Sequence, residues 1–515
     1  MKESIYPTRA AFRSLVARGK NLIAVQKPID LDFDTTVSVY YKLVGEGNPG
    51  FLLESADTTH QAFGRYSFVG ADPLARLRVY RSCLDLREKQ PDGSVRVRTI
   101  EGTPRDTLKR YMAGHRAALF DRDLPLANGG LVGYLSYEIV STFDRVRGLE
   151  VAEDTVLGEF QLCRILVILD TLRKEARLVC IASLPDGADA ADADACYERA
   201  LRDLRAAEER INRPLPAACY VREGCKRGEK LDFLAKYGEP PAEFIEAIQR
   251  AKAHILAGDI FQVVPSRSFR AKLTQKPMTF YRRLRQVNPS PYMFFLDCGA
   301  IKLVGASPET LVKVLGHTVS TYPIAGTRRR GKNEAEDAAL ARELQGDEKE
   351  VAEHSMLVDL ARNDIGRIAE PGTVRVVKLK EVERFSHVMH MASEVQGTLK
   401  AGLTPMDVLA AAFPAGTVSG APKLRAMEIL RDLEPVPRGT YSGAAGYMDF
   451  AGNMDMCITL RTMRIEHGTA GDTAVIQSGA GIVADSVPER EYREILQKSR
   501  ALFEVVEEVE NGCCC

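Results

Sequence analysis

The sequence of 515 residues lacks tryptophan, carries no formal net charge and contains no long hydrophobic run. Lysine plus arginine and aspartate plus glutamate both number 70. Because nucleic-acid recognition needs clustered positive charge, this balance argues against a nucleic-acid partner, and the short cluster 328–330 is interpreted as a solvated turn. No apolar run approaches the about 20 residues of a membrane span, and the N-terminus has no signal-peptide pattern. We therefore predict a cytoplasmic protein without a membrane partner.

Metal-binding cysteine pairs are also missing. The 11 cysteines are scattered without CxxC spacing, and most are interpreted as reduced core residues. No Gly-x-Cys-x-Gly turn is present, which excludes a glutamine amidotransferase domain with a cysteine nucleophile. The terminal run Cys513–Cys515 is predicted to be disordered, and no role is assigned to it.

The chain is predicted to fold as two parts. Residues 1–213 contain short runs of alternating apolar and polar residues, which indicate strands of a mostly antiparallel sheet. Residues 214–240 are charged and interrupted by proline, as in a connection, and residues 241–510 mix strands and helices without strict alternation. Together these patterns predict the α+β class, with a short tail at 511–515.

Two glutamate pairs are the first sign of chemistry. Glu350 and Glu353 lie in one predicted helix, and Glu491 and Glu494 lie in another. Spacing of i, i+3 places both carboxylates of a pair on one helix face. Oxygen ligands without nearby cysteine or histidine favour Mg²⁺ over zinc, although such pairs are more often simply solvated helix faces.

Further motifs concentrate between residues 258 and 500. They are Gly258–Arg267, Gly305–Glu309, Pro323–Arg328, Glu353–Asp364, Ser386–His390, Gly416–Lys423, Gly443–Tyr447, Ile458–Thr462 and Gln477–Gly481. This set, in this order and leading into the second glutamate pair, resembles the chorismate-utilising enzymes over almost the whole chain, and the match is closest to their anthranilate synthase branch.

The resemblance implies a fold of two orthogonally packed antiparallel sheets surrounded by helices, with the active site between them. It also implies a Mg²⁺-dependent conversion of chorismate and ammonia to anthranilate and pyruvate. Glu353 and Glu494 match the family's metal ligands. Glu350 and Glu491 would support these ligands, either by contacting them or by reaching the metal through a water molecule.

Substrate-binding residues follow from the same resemblance. They are Gly326, Thr327, Tyr447, Arg461, Gly479, Ala480, Gly481 and Lys498. Arg461, expected on a strand face with Cys457 and Thr459, could bind a carboxylate with two parallel hydrogen bonds, or could pair with a structural carboxylate instead. The glycine turn offers backbone N–H groups to an anion, but such turns are often only turns. Lys498 could contact the substrate or form an i, i+4 ion pair with Glu494.

Four residues are predicted to take part in catalysis. Glu309 matches the family's general acid, which protonates the departing 4-hydroxyl and must be held protonated by burial or nearby negative charge. His387 corresponds to the family's histidine near the substrate, with its role left open, whereas His354 and His390 are expected to pack or cap. Thr417 matches a position that lines the site, and Gln262 is the fourth residue predicted to take part in catalysis.

Two positions distinguish branches of the family. Enzymes that make aminodeoxychorismate typically carry a nucleophilic lysine where this chain has Ala325. Isochorismate and salicylate synthases carry a lysine base where this chain has Gln262, which cannot take up a proton near neutral pH. The combination predicts the anthranilate branch. The alternatives are aminodeoxychorismate synthesis and a catalytically inactive scaffold, whose signature would be loss of a metal glutamate or of Arg461.

The resemblance also implies a partner and a regulator. Because the chain lacks a glutaminase, ammonia would come from a separate glutamine amidotransferase subunit, in a heterotetramer with two copies of each. Residues that match the family's tryptophan feedback pocket lie in both parts of the chain: Glu54, Ser55, Asn288, Pro289, Pro291, Tyr292 and Met293. Without the resemblance, these segments would be a buried strand and a proline-rich turn.

Overall fold

A computed structural model describes residues 5–55, 65–90, 92–216, 219, 231–384, 388–469 and 471–512. The helices are α1 (Arg9–Ala17), α2 (Thr36–Leu43), α3 (Pro104–Ala113), α4 (Ala190–Ile211), α5 (Phe233–Tyr237), α6 (Ala242–Leu256), α7 (Pro277–Val287), α8 (Glu334–Gly346), α9 (Glu348–Ile368), α10 (Pro405–Ala412), α11 (Gly416–Ser419), α12 (Lys423–Leu433) and α13 (Pro488–Asn511), with a 3₁₀ turn at Tyr137–Thr142.

The strands are β1 (Leu22–Ile29), β2 (Gly50–Glu54), β3 (Tyr66–Val79), β4 (Cys83–Lys89), β5 (Val95–Glu101), β6 (Gly130–Leu135), β7 (Gly158–Asp170), β8 (Glu175–Ser183), β9 (Gln262–Val263), β10 (Ser266–Leu273), β11 (Tyr292–Asp297), β12 (Ile301–Ser307), β13 (Thr310–Leu315), β14 (Thr318–Thr321), β15 (Ile324–Arg329), β16 (Arg375–Arg384), β17 (Val388–Thr398), β18 (Gly420–Ala421), β19 (Ala444–Asp449), β20 (Met454–Ile458), β21 (Thr462–Glu466) and β22 (Asp472–Gly479).

The strands other than β9 and β18, which pair with each other alone, form two antiparallel sheets that share β3 and β7. In the first sheet the order is β1-β8-β7-β3-β2-β11-β12-β21-β22-β10. In the second sheet the order is β5-β4-β3-β7-β6-β19-β20-β13-β14-β17-β16, and β15 also pairs with β17. The shared strands pass from one sheet to the other through a register shift between Pro73 and Ala75. This bulge bends the strands. The predicted α+β class and antiparallel sheets are confirmed.

Each sheet has its own hydrophobic core. Large buried side chains of the core built mainly on the second sheet are Leu77, Phe160, Val312, Phe413 and Met448. Those of the core between the first sheet and its helices are Phe12, Phe269, Tyr281, Tyr492 and Phe503. A sheet cannot cover its own apolar surface. The helices therefore pack on the outer sides of the two sheets and bury that surface. No helix among the described residues is long and apolar enough to cross a membrane.

Both predicted parts of the chain contribute strands to both sheets. β2 from the N-terminal part pairs with β11, and β6 pairs with β19. The boundary at 214–240 stays a prediction about the sequence, since the two parts are joined by continuous backbone hydrogen bonding.

The chain passes from one sheet to the other at two neighbouring points, and each crossing positions one predicted site residue. Glu309 lies between β12 of the first sheet and β13 of the second, and Arg461 lies between β20 of the second sheet and β21 of the first. The two crossings are hydrogen-bonded to each other: Ala306 N donates to Arg461 O at 3.1 Å, and Ile458 N donates to Glu309 O at 3.0 Å. A partly buried acid and a partly buried cation are therefore held in place by hydrogen-bonded backbone.

Candidate active site

The four glutamates lie on two helices, as predicted: Glu350 and Glu491 in the first turns of α9 and α13, and Glu353 and Glu494 in the second turns. Asp347 caps α9 by accepting hydrogen bonds from the N–H groups of Lys349 and Glu350, and α13 begins with a proline in its first turn. Helix N-termini stabilise carboxylates because their unpaired N–H groups carry partial positive charge. α9 packs on β15 and β17 of the second sheet, and α13 packs on β22 of the first, so each sheet carries the helix of one glutamate pair.

Electrostatics shows that the two pairs face each other. Burial raises the pKa of Glu353, and the charges of Glu350 and Glu494 raise it further, against a hydrogen bond from Gln262. Burial also raises the pKa of Glu491, and the charge of Glu494 adds to the effect. Because carboxylates from both helices raise the pKa of Glu353, a cation at this site would relieve repulsion.

The residues fit Mg²⁺ by donor type. Gln262 Nε2 donates to Glu353 Oε1 at 3.3 Å, Glu350 pairs with Arg328 at 3.3 Å, and Glu494 pairs with Lys498 at 2.8 Å. In the part of the chain that the structure describes, no three carboxyl, imidazole or thiol groups already converge as a complete ligand set. Mg²⁺ commonly takes only one or two protein carboxylates and completes its shell with water and substrate oxygens, so the carboxylate donors suffice.

Arg461 is held in a strained conformation and not in a strand, which corrects the predicted strand face with Cys457 and Thr459. Its φ is +46°, a value that costs energy for a residue other than glycine. Burial lowers the pKa of its guanidinium, the nearby Tyr441 opposes that shift, and no described carboxylate forms an ion pair with it. The alternative of a structural ion pair is therefore not borne out among the described residues. An uncompensated, largely buried guanidinium is suited to an anionic ligand.

The loop Gly479–Gly481 lies under this guanidinium site and is built for close approach. A Cβ atom at Gly479 would stand 2.8 Å from the hydroxyl of Tyr441, and a Cβ at Gly481 would stand 2.5 Å from Gln262 Nε2. The N–H of Ala480 already donates to Pro265 O at 3.2 Å. Lys498 Nζ donates to Gly479 O at 3.1 Å and pairs with Glu494, so the i, i+4 ion pair is present, while the substrate contact stays a prediction.

Gly326 and Thr327 form the wall opposite this loop. At Gly326 φ is +70°, and a Cβ there would stand 2.8 Å from Leu344 Cδ1 and 3.1 Å from Glu350 Oε2. Only glycine therefore lets α9 bring its glutamates so close. Thr327 Oγ1 lies 3.0 Å from His390 Nδ1, and Gly326 O lies 3.2 Å from the same nitrogen.

His390 belongs to the site, which sequence reasoning missed. Burial lowers its pKa, and the positive charge of Arg461 lowers it further. His387 lies outside the described residues. The neighbouring His354 packs as expected, with Nε2 2.6 Å from Ser393 Oγ.

Glu309 has the properties of a general acid. Burial raises its pKa to about 7, while a hydrogen bond from Thr417 and the charge of Lys498 act in the opposite direction. Thr417 Oγ1 donates to Glu309 Oε1 at 2.9 Å. A carboxyl group with a pKa near neutrality can both hold and release a proton at working pH.

Comparison with known proteins identifies the family. A profile of the family described as "chorismate binding enzyme" matches residues 51–504. The chain belongs to the chorismate-binding enzyme family. Anthranilate synthase component 1 from Thermus thermophilus is 44% identical over 484 residues, covering 93% of this chain and 97% of that protein. Anthranilate synthase component 1 from Streptomyces coelicolor is 42% identical over 517 residues, covering 98% and 92%.

Solved structures of the chorismate-binding enzyme family agree with the fold. Anthranilate synthase component I from Streptococcus pneumoniae superimposes with a TM-score of 0.69 and 35% identity, covering 85% of this chain and 92% of that one. The menaquinone-specific isochorismate synthase from Escherichia coli has a TM-score of 0.68, covers 97% of this chain and 99% of that one, and is 18% identical, so it supports the fold alone.

Of the two tyrosines in this segment, Tyr441 and not the predicted Tyr447 lies next to Arg461, and a substrate contact of Tyr447 stays a prediction. Tyr441 lies beside Arg461 and Gly479. The ring of Tyr447 instead packs edge-on against Phe68 at 5.6 Å and lines a different cavity. Tyr447 directly follows Gly446, and Tyr441 lies two residues from both Gly439 and Gly443, so composition alone does not separate them.

That second cavity has a volume of about 580 Å³ and contains most of the predicted feedback residues. Glu54, Ser55, Pro291, Tyr292 and Met293 line it. Met293 stands opposite Glu54 in the β2–β11 pairing, which explains how distant segments meet. The cavity lining does not include Asn288, which ends α7, or Pro289. Glu54 is already engaged, since Arg285 and Thr36 contact its carboxylate.

Proposed function

We propose that this chain is an anthranilate synthase component 1, which converts chorismate and ammonia to anthranilate, pyruvate and water. The observation that carries the proposal is the environment of Gln262. Its amide donates to the carboxylate of Glu353, so the position where a water-activating base would be needed holds a group that cannot accept a proton. Ammonia is nucleophilic without such a base, and the full-length relatives named above carry the same activity in their names.

The proposed chemistry assigns one task to each side chain. Arg461, with Tyr441 beside it, binds the enolpyruvyl carboxylate. Glu353 and Glu494, supported by Glu350 and Glu491, would hold Mg²⁺ at the ring carboxylate. When bound, the metal supplies Lewis-acid stabilisation of charge.

Glu309 donates its proton to the 4-hydroxyl, which leaves as water while ammonia bonds to ring carbon 2. The pKa of His390 is lowered by burial, so His390 is neutral at pH 7 and can hydrogen-bond substrate without adding charge. The bond from ring carbon 3 to the enolpyruvyl oxygen then breaks as the proton leaves carbon 2, which makes the ring aromatic, and the departing enolpyruvate takes up a proton to become pyruvate.

The alternatives are less consistent with the site. Ala325 has no amine to attack the ring as aminodeoxychorismate synthesis requires in the lysine-bearing branch. A scaffold without activity would not need a strained Arg461 that forms no ion pair with the described carboxylates, or a Glu309 whose pKa is near 7.

Ammonia dependence tests the proposal directly. The purified chain with chorismate and Mg²⁺ is expected to form anthranilate with ammonium salts and none with glutamine, because it has no glutaminase nucleophile. Anthranilate fluorescence after chromatography measures both. Below about pH 7, where Glu309 is protonated, the rate should rise with pH to the extent that free ammonia rises, and a glutamine amidotransferase partner should restore glutamine use. Formation of isochorismate or aminodeoxychorismate, or glutamine-driven turnover by the chain alone, would contradict the assignment.

We further propose that the complex is a heterotetramer and that the second cavity binds tryptophan as a feedback inhibitor. Phe68, Tyr447 and Met293 offer an apolar surface for the indole, and the carboxylates of Glu54 and Asp455 offer partners for the ammonium. Tyr292 connects this cavity to the catalytic acid: its hydroxyl lies 2.7 Å from Thr310 Oγ1 and donates to Asp455 at 2.8 Å. Thr310 follows Glu309 directly, so a ligand that moves Tyr292 would move the acid.

Substitution of Ser55 by phenylalanine is expected to abolish inhibition by tryptophan while leaving turnover without tryptophan within about twofold. The larger ring fills the cavity, and inhibition from a distance requires a ligand that binds the inactive arrangement better. By reciprocity, chorismate should weaken tryptophan binding by the same factor. Binding can be followed by ligand fluorescence, since the protein contains no tryptophan. The control is Ser14→Phe on the exposed side of α1; unchanged sensitivity in Ser55→Phe would remove the regulatory assignment alone.

A further inference from the structure

A small cavity behind Glu309 joins the active site to a buried ion pair that the mechanism does not use. Its volume is about 40 Å³, and Glu309, Thr417 and Asp364 all line it, together with Thr310, Thr321 and Tyr322. A space of this size holds about one or two water molecules, which need two to four polar partners each. The oxygen atoms in the lining supply them.

Asp364 stands at the far end of this cavity. It lies on α9 and pairs with Lys423 of α12 at 2.9 Å, and both side chains are 13% exposed. Burial raises the pKa of Asp364, whereas Lys423 and Arg367 lower it and Asp144 raises it. Burial is thus sufficient to raise the pKa of Asp364, and the remaining exposure lets its carboxyl group exchange protons with solvent.

The proposed reaction creates a need for such a pair. Glu309 becomes a carboxylate each time the 4-hydroxyl leaves, and it must regain a proton before the next cycle. Substrate and products occupy the front of the site at that moment. The cavity behind Glu309 is the other side from which water can reach its carboxylate.

We propose that this cavity is a proton-return route in which Asp364, positioned by Lys423, restores the proton of Glu309 through cavity water. In that step an O–H bond of the water breaks as the Glu309 O–H bond forms, and the water oxygen takes the proton of the Asp364 carboxyl. Asp364 then regains a proton from solvent. One proton enters from solvent for each one that leaves on the 4-hydroxyl, and no electrons are transferred. This inference rests on the proposed role of Glu309 as the acid. Asp364 acts through Glu309 and does not touch substrate.

The test is a comparison of first and later turnovers in Asp364→Asn. Asparagine keeps the shape and the hydrogen bond to Lys423 but cannot pass on a proton. The first turnover, followed by anthranilate fluorescence in stopped flow, should keep the parent rate because Glu309 starts protonated. Steady-state kcat should fall roughly tenfold or more, with an unchanged KM for chorismate and a larger solvent deuterium isotope effect. Asp359→Asn, on the same helix but largely exposed beside Arg362, is the matched control and should behave as the parent.

A second variant protects the test against misfolding. Ala361→Leu fills the same cavity from α9 without touching either charge, so it should also slow later turnovers and spare the first. The inference is overturned if first and later turnovers slow together in both variants, or if neither slows in Asp364→Asn. Should Glu309→Gln itself retain full turnover, the acid assignment in the proposed function would be wrong instead.

Discussion

Replacement of Glu353 by glutamine is expected to lower kcat/KM for chorismate by roughly 10³-fold, about 4 kcal/mol of transition-state stabilisation, as for loss of a ligand of a Lewis-acid metal. Glu494→Gln should have a similar effect. In the parent, exhaustive chelation with EDTA should abolish turnover and added Mg²⁺ should restore it. Anthranilate formation measures each of these changes.

The folding stability of Glu353→Gln, unlike its activity, should not fall below that of the parent. The pKa of Glu353 is raised by burial and by its carboxylate neighbours, so the ionised side chain costs stability at neutral pH, and glutamine removes that cost. Thermal unfolding of Glu353→Gln is therefore expected at or above the parent midpoint. Glu348→Gln, the same change at an exposed position of α9, is the control and should retain activity. Full turnover after complete chelation would rule out the metal site.

The second large effect is expected at Glu309. Glu309→Gln should reduce kcat by about 10²–10⁴-fold, the usual contribution of a general acid. In the parent, kcat/KM at a fixed concentration of free ammonia should fall as pH rises through about 7, because burial raises the pKa of Glu309 to about 7 and only the protonated form is active. Thr417→Val removes the hydrogen bond that lowers this pKa, so the fall should move to higher pH.

Folding stability provides a separate check on Glu309. Its pKa in the folded chain lies above the ordinary value of 4.5. Stability from burying the neutral carboxyl is therefore fully present below about pH 4.5 and is lost as pH rises through about 7. Glutamine cannot ionise, so Glu309→Gln should gain about 1–3 kcal/mol over the parent at pH 8. Equal stability of the two proteins at pH 8, measured by urea unfolding, would show that Glu309 is not desolvated.

Local patterns in the sequence were enough for several parts of the site. The i, i+3 spacing of Glu350/Glu353 and Glu491/Glu494 depends only on helix geometry, and α9 and α13 carry both pairs as predicted. The apolar stripe of α6 likewise buries Phe244, Ile248 and Ala251. These features are encoded within one helix, so no distant contact is needed to predict them.

Other features depend on pairings between distant segments. His387 lies outside the described residues, whereas His390 lies in β17. Only the pairing of β15 with β17 brings His390 to Gly326 and Thr327. In the same way, the position of β19 between β6 and β20 directs Tyr447 to the second cavity and leaves Tyr441 beside Arg461.

The sequence by itself therefore determined the fold class, the two helices that carry the glutamate pairs, and Glu309. It also determined the two branch-specific positions, where this chain has Ala325 and Gln262 instead of lysine. Tertiary structure alone decided the conformation of Arg461, the choice of His390 and Tyr441, and the cavity between Glu309 and Asp364. The physical reason is the separation along the chain of the residues in contact. Periodicity and spacing express contacts within one turn or one strand, whereas these side chains are placed by sheet register and helix packing between residues tens to hundreds of positions apart.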